Sequence, residues 1–372
     1  MIHDVFVKVR IPTGILLPVI CILTFNVFSQ DSDFHIYLAF GQSNMEGNAR
    51  PESQDLSDVD SRFQLLPAVN WSDGSRTKGT WTTAVPPLCR SSTGLCPADY
   101  FGRTLVDSLP EQIRIGIINV SVAGCAMDMF MKDKYKGYVA GEASWMKNIA
   151  NEYGGNPYER LVETAKLAQK DGVIKGILLH QGETDAYKNG WENKVKSVYD
   201  DLIEDLDLDA SAVPLLAGDL LSSSGAVKNL PNVLPNSHVI SSQGLNGVDQ
   251  WHFTAESYRK FGKRYAETML EILKEQKETG SSKGRPSKRI FSGYGLNCSN
   301  GINAISFRIP ERAFVSLLVY ALNGKAVVEL AGKEYVAGNH ELLIGRRPVP
   351  LGIVVIRMRS GSFTMAKSIV VE

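Results

Sequence analysis

Past residue 30 the chain alternates short apolar runs with longer stretches whose apolar residues recur every three or four positions. The runs Ile36–Phe40, Ile115–Val120, Ile174–Leu179, Val213–Ala217 and His238–Ser241 have strand length and almost no charge, as strands buried on both faces require. Between them the helical period takes over. Residues 157–170 put Leu161, Ala165 and Ala168 on one face, and residues 191–206 do the same with Val195, Val198, Tyr199 and Leu202. A last helix over 254–274 opens at Thr254 and turns Tyr258, Phe261, Tyr265, Met269 and Ile272 inward. Strands alternating with helices predict an α/β fold, a parallel sheet covered on both faces. Residues 51–97 break the rhythm with Ser, Asp, Pro and Trp, which predicts long loops over one end of that sheet.

Both ends of the chain read differently. Lys8 and Arg10 precede an apolar run from Ile11 to Phe28, and Ser29 precedes the polar Gln30-Asp31-Ser32-Asp33. That is the pattern of a secretory signal peptide, residues 1–30, cleaved near Ser29 or Gln30. Pro12, Pro18 and the short run argue against a spanning anchor, and Val19-Ile20 before Cys21 argues against lipid attachment. The mature protein is therefore expected to be secreted or held at the cell surface. Towards the other end, residues 274–288 are polar, small and charged, which predicts a linker over 276–289 after a catalytic domain of residues 31–275. Residues 290–372 then carry short β runs, among them Ile305–Ile309, Val315–Ala321, Val327–Leu330, His340–Ile344, Ile353–Met358 and Ser368–Val371, with a hairpin signal at Asn323-Gly324. This is expected to be a small all-β sandwich.

Composition narrows the functions. Hydrophobic residues make up 44% and charged residues 22% of the 372, so a packed globular protein is the expectation. Lys+Arg and Asp+Glu both total 40, and with no net field neither nucleic acid nor an anionic membrane is an expected partner. Cys89 and Cys96 bracket a six-residue loop and are expected to form a disulfide in an exported protein, while Cys125 and Cys298 stay single.

Four segments at strand ends carry the chemistry. Phe40-Gly-Gln-Ser-Asn-Met45 follows the first strand, Val120-Ser-Val-Ala-Gly124 the second and His180-Gln-Gly-Glu-Thr-Asp185 the third, while Asp249-Gln-Trp-His252 precedes the last helix. Ligands of open parallel sheets bind at the carboxyl ends of strands, so these segments should converge. Ser43 is set in a turn as a nucleophile would be, and a serine hydroxyl needs a base to take its proton. His252 is the candidate base. Asp249, three residues earlier, is the favoured group to orient it, and Glu183 stands as the alternative. Donors for a developing oxyanion are the backbone N–H groups of Ser43 and Gly124 and the amide of Gln181. His180, Glu183, Asp185, Asp249 and His252 are also metal-ligand types, but no His-Glu-x-x-His helix is present and a metal would leave the Ser43 turn unexplained. No metal or cofactor is expected. Of the loop aromatics Trp71, Trp81, Tyr135, Tyr138, Trp145, Tyr187 and Trp251, packing is expected for all but Trp251, which adjoins His252.

Three blocks, Gly41-Gln-Ser-Asn-Met-Glu-Gly47, His180-Gln-Gly-Glu-Thr-Asp185 and Asp249-Gln-Trp-His-Phe-Thr254, resemble those of the sialate O-acetylesterase-like SGNH hydrolases. The nearest branch is carbohydrate esterase family 6, the acetylxylan esterases. Over residues 34–275 the resemblance implies a three-layer α/β/α sandwich, SGNH- or flavodoxin-like, with Ser43 and His252 catalytic. It also implies an oxyanion hole of Ser43, Gly124 and Gln181, with Gln42, Asn44 and Trp251 lining an acetylated polysaccharide. The block departs from many SGNH enzymes in having Gly182-Glu183 where they place Asn after Gly. The tail segments 319–325, 337–340, 351–356 and 367–372 resemble sorting domains of the type IX secretion system, which implies that machinery as a partner.

Overall fold

The computed structural model describes residues 30–281 and, beyond them, 295–298, 304–309, 312–321, 325–336, 338–343, 352–360 and 363–371. The expected signal segment, the Asn323-Gly324 turn and residues 282–289 of the expected linker lie outside the described residues. The chain divides into two compact units, the first ending at Ser282 and the second beginning at Lys283.

In the first unit β1 (Asp31–Gly41) runs into α1 (Ser43–Glu46), followed by α2 (Ser53–Leu56), β2 (Phe63–Leu65), β3 (Thr82–Thr83), α3 (Pro97–Ser108) and β4 (Arg114–Ser121). A 3-10 turn (Met127–Phe130), α4 (Tyr135–Gly141), α5 (Ser144–Glu152), α6 (Pro157–Ala168) and β5 (Gly172–His180) come next. Then follow α7 (Trp191–Asp205), β6 (Leu215–Gly218), α8 (Gly225–Val233), β7 (Ser237–Ile240) and α9 (Ala255–Ser281). The strands lie in the order β3-β2-β4-β1-β5-β6-β7, all parallel except the β2–β3 pair.

β1 sits at the centre, and every residue from Ile36 to Gly41 is buried, because helices cover both faces. Successive side chains of a strand point to opposite faces. Tyr37 accordingly meets Phe101 of α3 with ring centroids 4.8 Å apart, and Phe40 meets Phe130 on the other side at 5.1 Å. The chain moves from β1 to β4 on one flank and later to β5 on the other, so the carboxyl end of β1 is a topological switch point. α9 closes one face. Its Thr254 hydroxyl accepts the Ser257 N–H at 3.1 Å as a cap, and its Tyr258, Phe261, Tyr265 and Met269 are wholly buried, each burial worth about 1.5–3 kcal/mol.

Three details differ from the sequence expectations. Within 51–97, residues 63–65 add a parallel strand beside β4, and the amphipathic helix α3 begins at the end of that stretch. Residues 276–281, expected as linker, continue α9, and the first three of them, Gln276, Lys277 and Glu278, hold a helix well in water. Cys89 and Cys96 are free, buried thiols. Cys89 Sγ lies 3.1 Å from Tyr153 Oη, and Cys96 Sγ accepts from Asn119 Nδ2 at 3.7 Å, so the two sulfurs serve different neighbours. The loop between them is held without a covalent link, by Leu95 N–H donating to Ala49 O at 2.6 Å and by the ion pairs of Arg90.

The second unit consists of β8 (Gly295–Cys298), β9 (Ala304–Ile309), β10 (Ala313–Ala321), β11 (Ala326–Tyr335), β12 (Gly338–Leu343), β13 (Gly352–Ser360) and β14 (Phe363–Val371). Antiparallel sheets β11-β10-β13-β14 and β12-β9-β8 share one core. Alternate residues supply it: Ile305, Phe307 and Ile309 from one sheet, Val315, Leu317, Val319, Val354, Ile356 and Met358 from the other. Among the described residues no helix is long and apolar enough to cross a membrane.

Candidate active site

The site starts where β1 ends. Gly41 has φ +151°, and a Cβ there would lie 2.0 Å from the carbonyl oxygen of His180, so only glycine lets the two strand ends approach this closely. Gln42 N–H then donates to that carbonyl at 3.0 Å, and the Met45 and Glu46 amides both donate to Gln42 O at 2.8 Å, which closes α1 around Ser43. Among the described residues the Ser43 N–H has no acceptor. The Ser43 hydroxyl lies 3.0 Å from His252 Nε2, across 209 positions of sequence.

His252 is fixed by Asp249 alone among the carboxylates. Asp249 Oδ1 accepts the N–H groups of Trp251 and His252 at 2.7 Å each, and Oδ2 lies 2.8 Å from His252 Nδ1. With a carboxylate at Nδ1, the proton belongs there and Nε2 is left to accept from the Ser43 hydroxyl. The bond from the imidazole, with those from the two amides, brings the Asp249 carboxyl down to about 2.

Glu183 is placed elsewhere, which corrects its reading as a direct partner of His252. It is buried, and its Oε1 accepts from Asn44 Nδ2 and pairs with His180 Nε2 at 2.9 Å. Burial pushes its carboxyl up, but the His180 ring, its own backbone amide and Asn44 outweigh that and hold it below its ordinary range. Asn44 is the link to His252. Its Nδ2 also donates to Trp251 O at 2.9 Å, while its Oδ1 accepts from Phe253 N–H at 3.4 Å and from the Tyr258 hydroxyl. The amide thus grips the backbone on both sides of His252.

The expected substrate contacts of Asn44 and Gln42 are corrected by the same bonds. Asn44 is wholly buried, and Gln42 Oε1 accepts from Gln181 Nε2 at 3.2 Å and from Gly182 N–H at 3.3 Å. Trp251 is 42% exposed beside His252 and is available to a ligand. The Gln181 amide does not fit an oxyanion donor. Its Nε2 is directed at Gln42 Oε1, at Cys125 O at 3.1 Å and at Asp185 Oδ1 at 2.7 Å, and two N–H hydrogens are already outnumbered. Gly124 does fit. Its φ is +68°, its N–H has no acceptor among the described residues, and its carbonyl accepts from the Thr184 hydroxyl at 2.9 Å. The arrangement therefore offers a hydroxyl, a base and two unpaired backbone N–H groups at one strand edge.

Two further residues shape this edge without having been assigned roles from sequence. Glu46 Oε1 accepts the Ala123 N–H at 3.2 Å next to Gly124, and it pairs with the buried guanidinium of Arg90. Burial raises the Glu46 carboxyl and Arg90 opposes that rise. Glu46 lies inside the first motif block, and that position was the signal the sequence offered for it. The residues weighed as metal ligands are distributed over separate partners: Glu183 on His180, Asp185 on Gln181, Asp249 on His252.

A mostly parallel sheet flanked by helices, with its polar cluster at the carboxyl end of the central strand, gives the first unit the α/β fold expected from the sequence. Residues 33–271 match the family described as carbohydrate esterase, sialic acid-specific acetylesterase, and the chain belongs to that family. It is thus a carboxylic ester hydrolase by family, with an acetylated carbohydrate as the implied class of substrate. Among solved structures, a protein from Arabidopsis thaliana is 20% identical, covering 64% of this chain and 98% of its own, with a TM-score of 0.49. A carbohydrate acetylesterase from Xanthomonas citri is 15% identical, covering 87% of this chain and 74% of its own, with a TM-score of 0.46. NanS is 17% identical, covering 66% of this chain and 99% of its own, with a TM-score of 0.48.

Proposed function

We propose that this protein is a serine-dependent O-acetylesterase that removes acetyl groups from a plant polysaccharide such as acetylxylan. The observation that carries the reading is the hydrogen-bonded series from the Ser43 hydroxyl through His252 to Asp249. Ser43 attacks the acetyl carbonyl while His252 Nε2 takes its proton, and Asp249 stabilises the imidazolium that forms. The oxyanion is met by the Ser43 and Gly124 N–H groups. His252 returns the proton to the departing sugar hydroxyl, which leaves an acetyl-serine. Water, deprotonated by the same imidazole, then releases acetate and restores Ser43.

The carbohydrate esterase 6 assignment rests on the motif blocks, and export rests on the basic-then-apolar N-terminus. Delivery by type IX machinery rests on the tail segments, with residues 290–372 as the sorting domain. Sialic acid is the second reading of the substrate, favoured by the description of the matched family.

Ser43→Ala tests the chemistry. Acetate release from acetylated xylan and from p-nitrophenyl acetate should fall at least about 10³-fold, with the thermal midpoint held. Turnover within a few-fold of wild type would remove the proposal.

A further inference from the structure

Of the loop aromatics Trp71 is buried and Trp81, Tyr135 and Tyr138 are half-buried, but Tyr187 and Trp145 are exposed against the expectation of packing. Two indoles, Trp145 and Trp251, stand half in water beside the loops that meet Ser43. Trp145 is 50% exposed and Trp251 is 42% exposed. Trp145 lies in the first turn of α5, and the far edge of its ring rests on the oxyanion loop: a Cβ added to Gly124 would sit 2.9 Å from its Cη2. Trp251 directly precedes His252, and its carbonyl is held by Asn44 Nδ2 at 2.9 Å. Sheet order separates the two. Gly124 follows β4, the neighbour of β1 on one side, whereas Trp251 belongs to the segment after β7, the last strand on the other. Ser43 meets His252, so Trp251 stands on the base side of the nucleophile and Trp145 on the side of the Gly124 loop.

Two indoles half in water beside one site leave aromatic faces open to a ligand. The C–H face of a pyranose packs on an aromatic face, and a single sugar whose ester is at Ser43 does not extend to both flanks. We propose that Trp145 and Trp251 are sugar-stacking platforms on opposite sides of Ser43, and that the substrate is a glycan chain acetylated on an interior sugar. This rests on the esterase reading and narrows it, since a lone acetylated monosaccharide would use one platform at most.

The test compares kcat/KM for a β-linked xylotetraose acetylated on an interior unit, for acetylated xylose and for p-nitrophenyl acetate. The wild type should favour the tetrasaccharide over acetylated xylose by about tenfold or more, the worth of one or two stacking contacts. Trp145→Ala and Trp251→Ala should each shrink that ratio severalfold, chiefly through KM, and Trp145→Phe should retain most of it. Equal turnover of both sugars by the wild type overturns the inference with no variant needed, so it is decided even where a substituted chain does not fold. A ratio unmoved in alanine variants that still cleave p-nitrophenyl acetate overturns it as well. Failure of the wild type to cleave p-nitrophenyl acetate would instead remove the esterase reading beneath it.

Discussion

At Asp249 one carboxylate does two jobs: Oδ1 folds the turn by accepting two amides, and Oδ2 holds the imidazole. Its folded value near 2 lies below the ordinary 3.8, so its contribution to stability is present above the ordinary value and is lost only as pH falls through about 2. Between pH 4 and 8 the acid limb of kcat/KM should therefore fall with a slope of one; a slope of two would mean that Asp249 titrates there too. Asp249→Asn, which can keep the turn but not the tautomer, should lower kcat about a hundredfold or more. Asn44 makes a second, separable prediction. If Glu183 acts on His252 only through Asn44, then Asn44→Ala and Glu183→Gln should each cut kcat about tenfold, and the double variant should be little worse than either. Multiplying penalties would show Glu183 acting by another route. These residues also mark what the sequence could disclose. The Asp249–His252 pair was legible because its spacing is local, whereas the engagement of Asn44 with the backbone 207 to 209 positions away was not, and its amide was read as a substrate contact. Gln181 misled for the same reason: a polar residue after a strand looks free until its distant acceptors, Gln42 and Cys125, are brought to it by folding.

Among elements, the proposed mechanism requires the turn β1–α1 and the loop ending at Gly124 to be held in register so that the two N–H donors face one oxyanion. Glu46 does this by joining α1 to Ala123, and Arg90 neutralises it from the Cys89–Cys96 loop. The pair is buried, with 5% of the Arg90 and 10% of the Glu46 side chain exposed. Removing one partner leaves an uncompensated buried charge, so Arg90→Leu should destabilise the protein by about 3–5 kcal/mol in denaturant titration and lower kcat as well. Adding Glu46→Leu should recover much of the stability but not the kcat, since the Ala123 amide then has no acceptor. Recovery of both would mean the pair is structural only. Strands β1, β4 and β5 were plain in the sequence because burial on both faces leaves an unbroken apolar run. β2 and β3, of three and two residues, are too short to show any period, and their pairing is decided by neighbours. The end of α9 was misjudged because polar composition marks a linker and an exposed helix end alike.

The described residues form two cores that share no residue. One draws on residues from Ile36 to Met269 and the other on residues from Leu296 to Met358. Ser43, Gly124, Glu183, Asp249 and His252 all belong to the first unit, together with the two exposed indoles. The first unit closes its own sheet face with α9, whose buried side chains end at Met269, well before the division at Ser282. A chain ending at Ser282 should then keep its hydrophobic core and every group the chemistry uses. Such a chain is expected to hydrolyse p-nitrophenyl acetate with kcat within about twofold of the full protein, and to unfold in a single cooperative transition. Because the two cores share no residue, its midpoint should stay within a few degrees, the shift about 1 kcal/mol would give. Loss of activity or of cooperative unfolding in the shortened chain would show that the second unit supports the first.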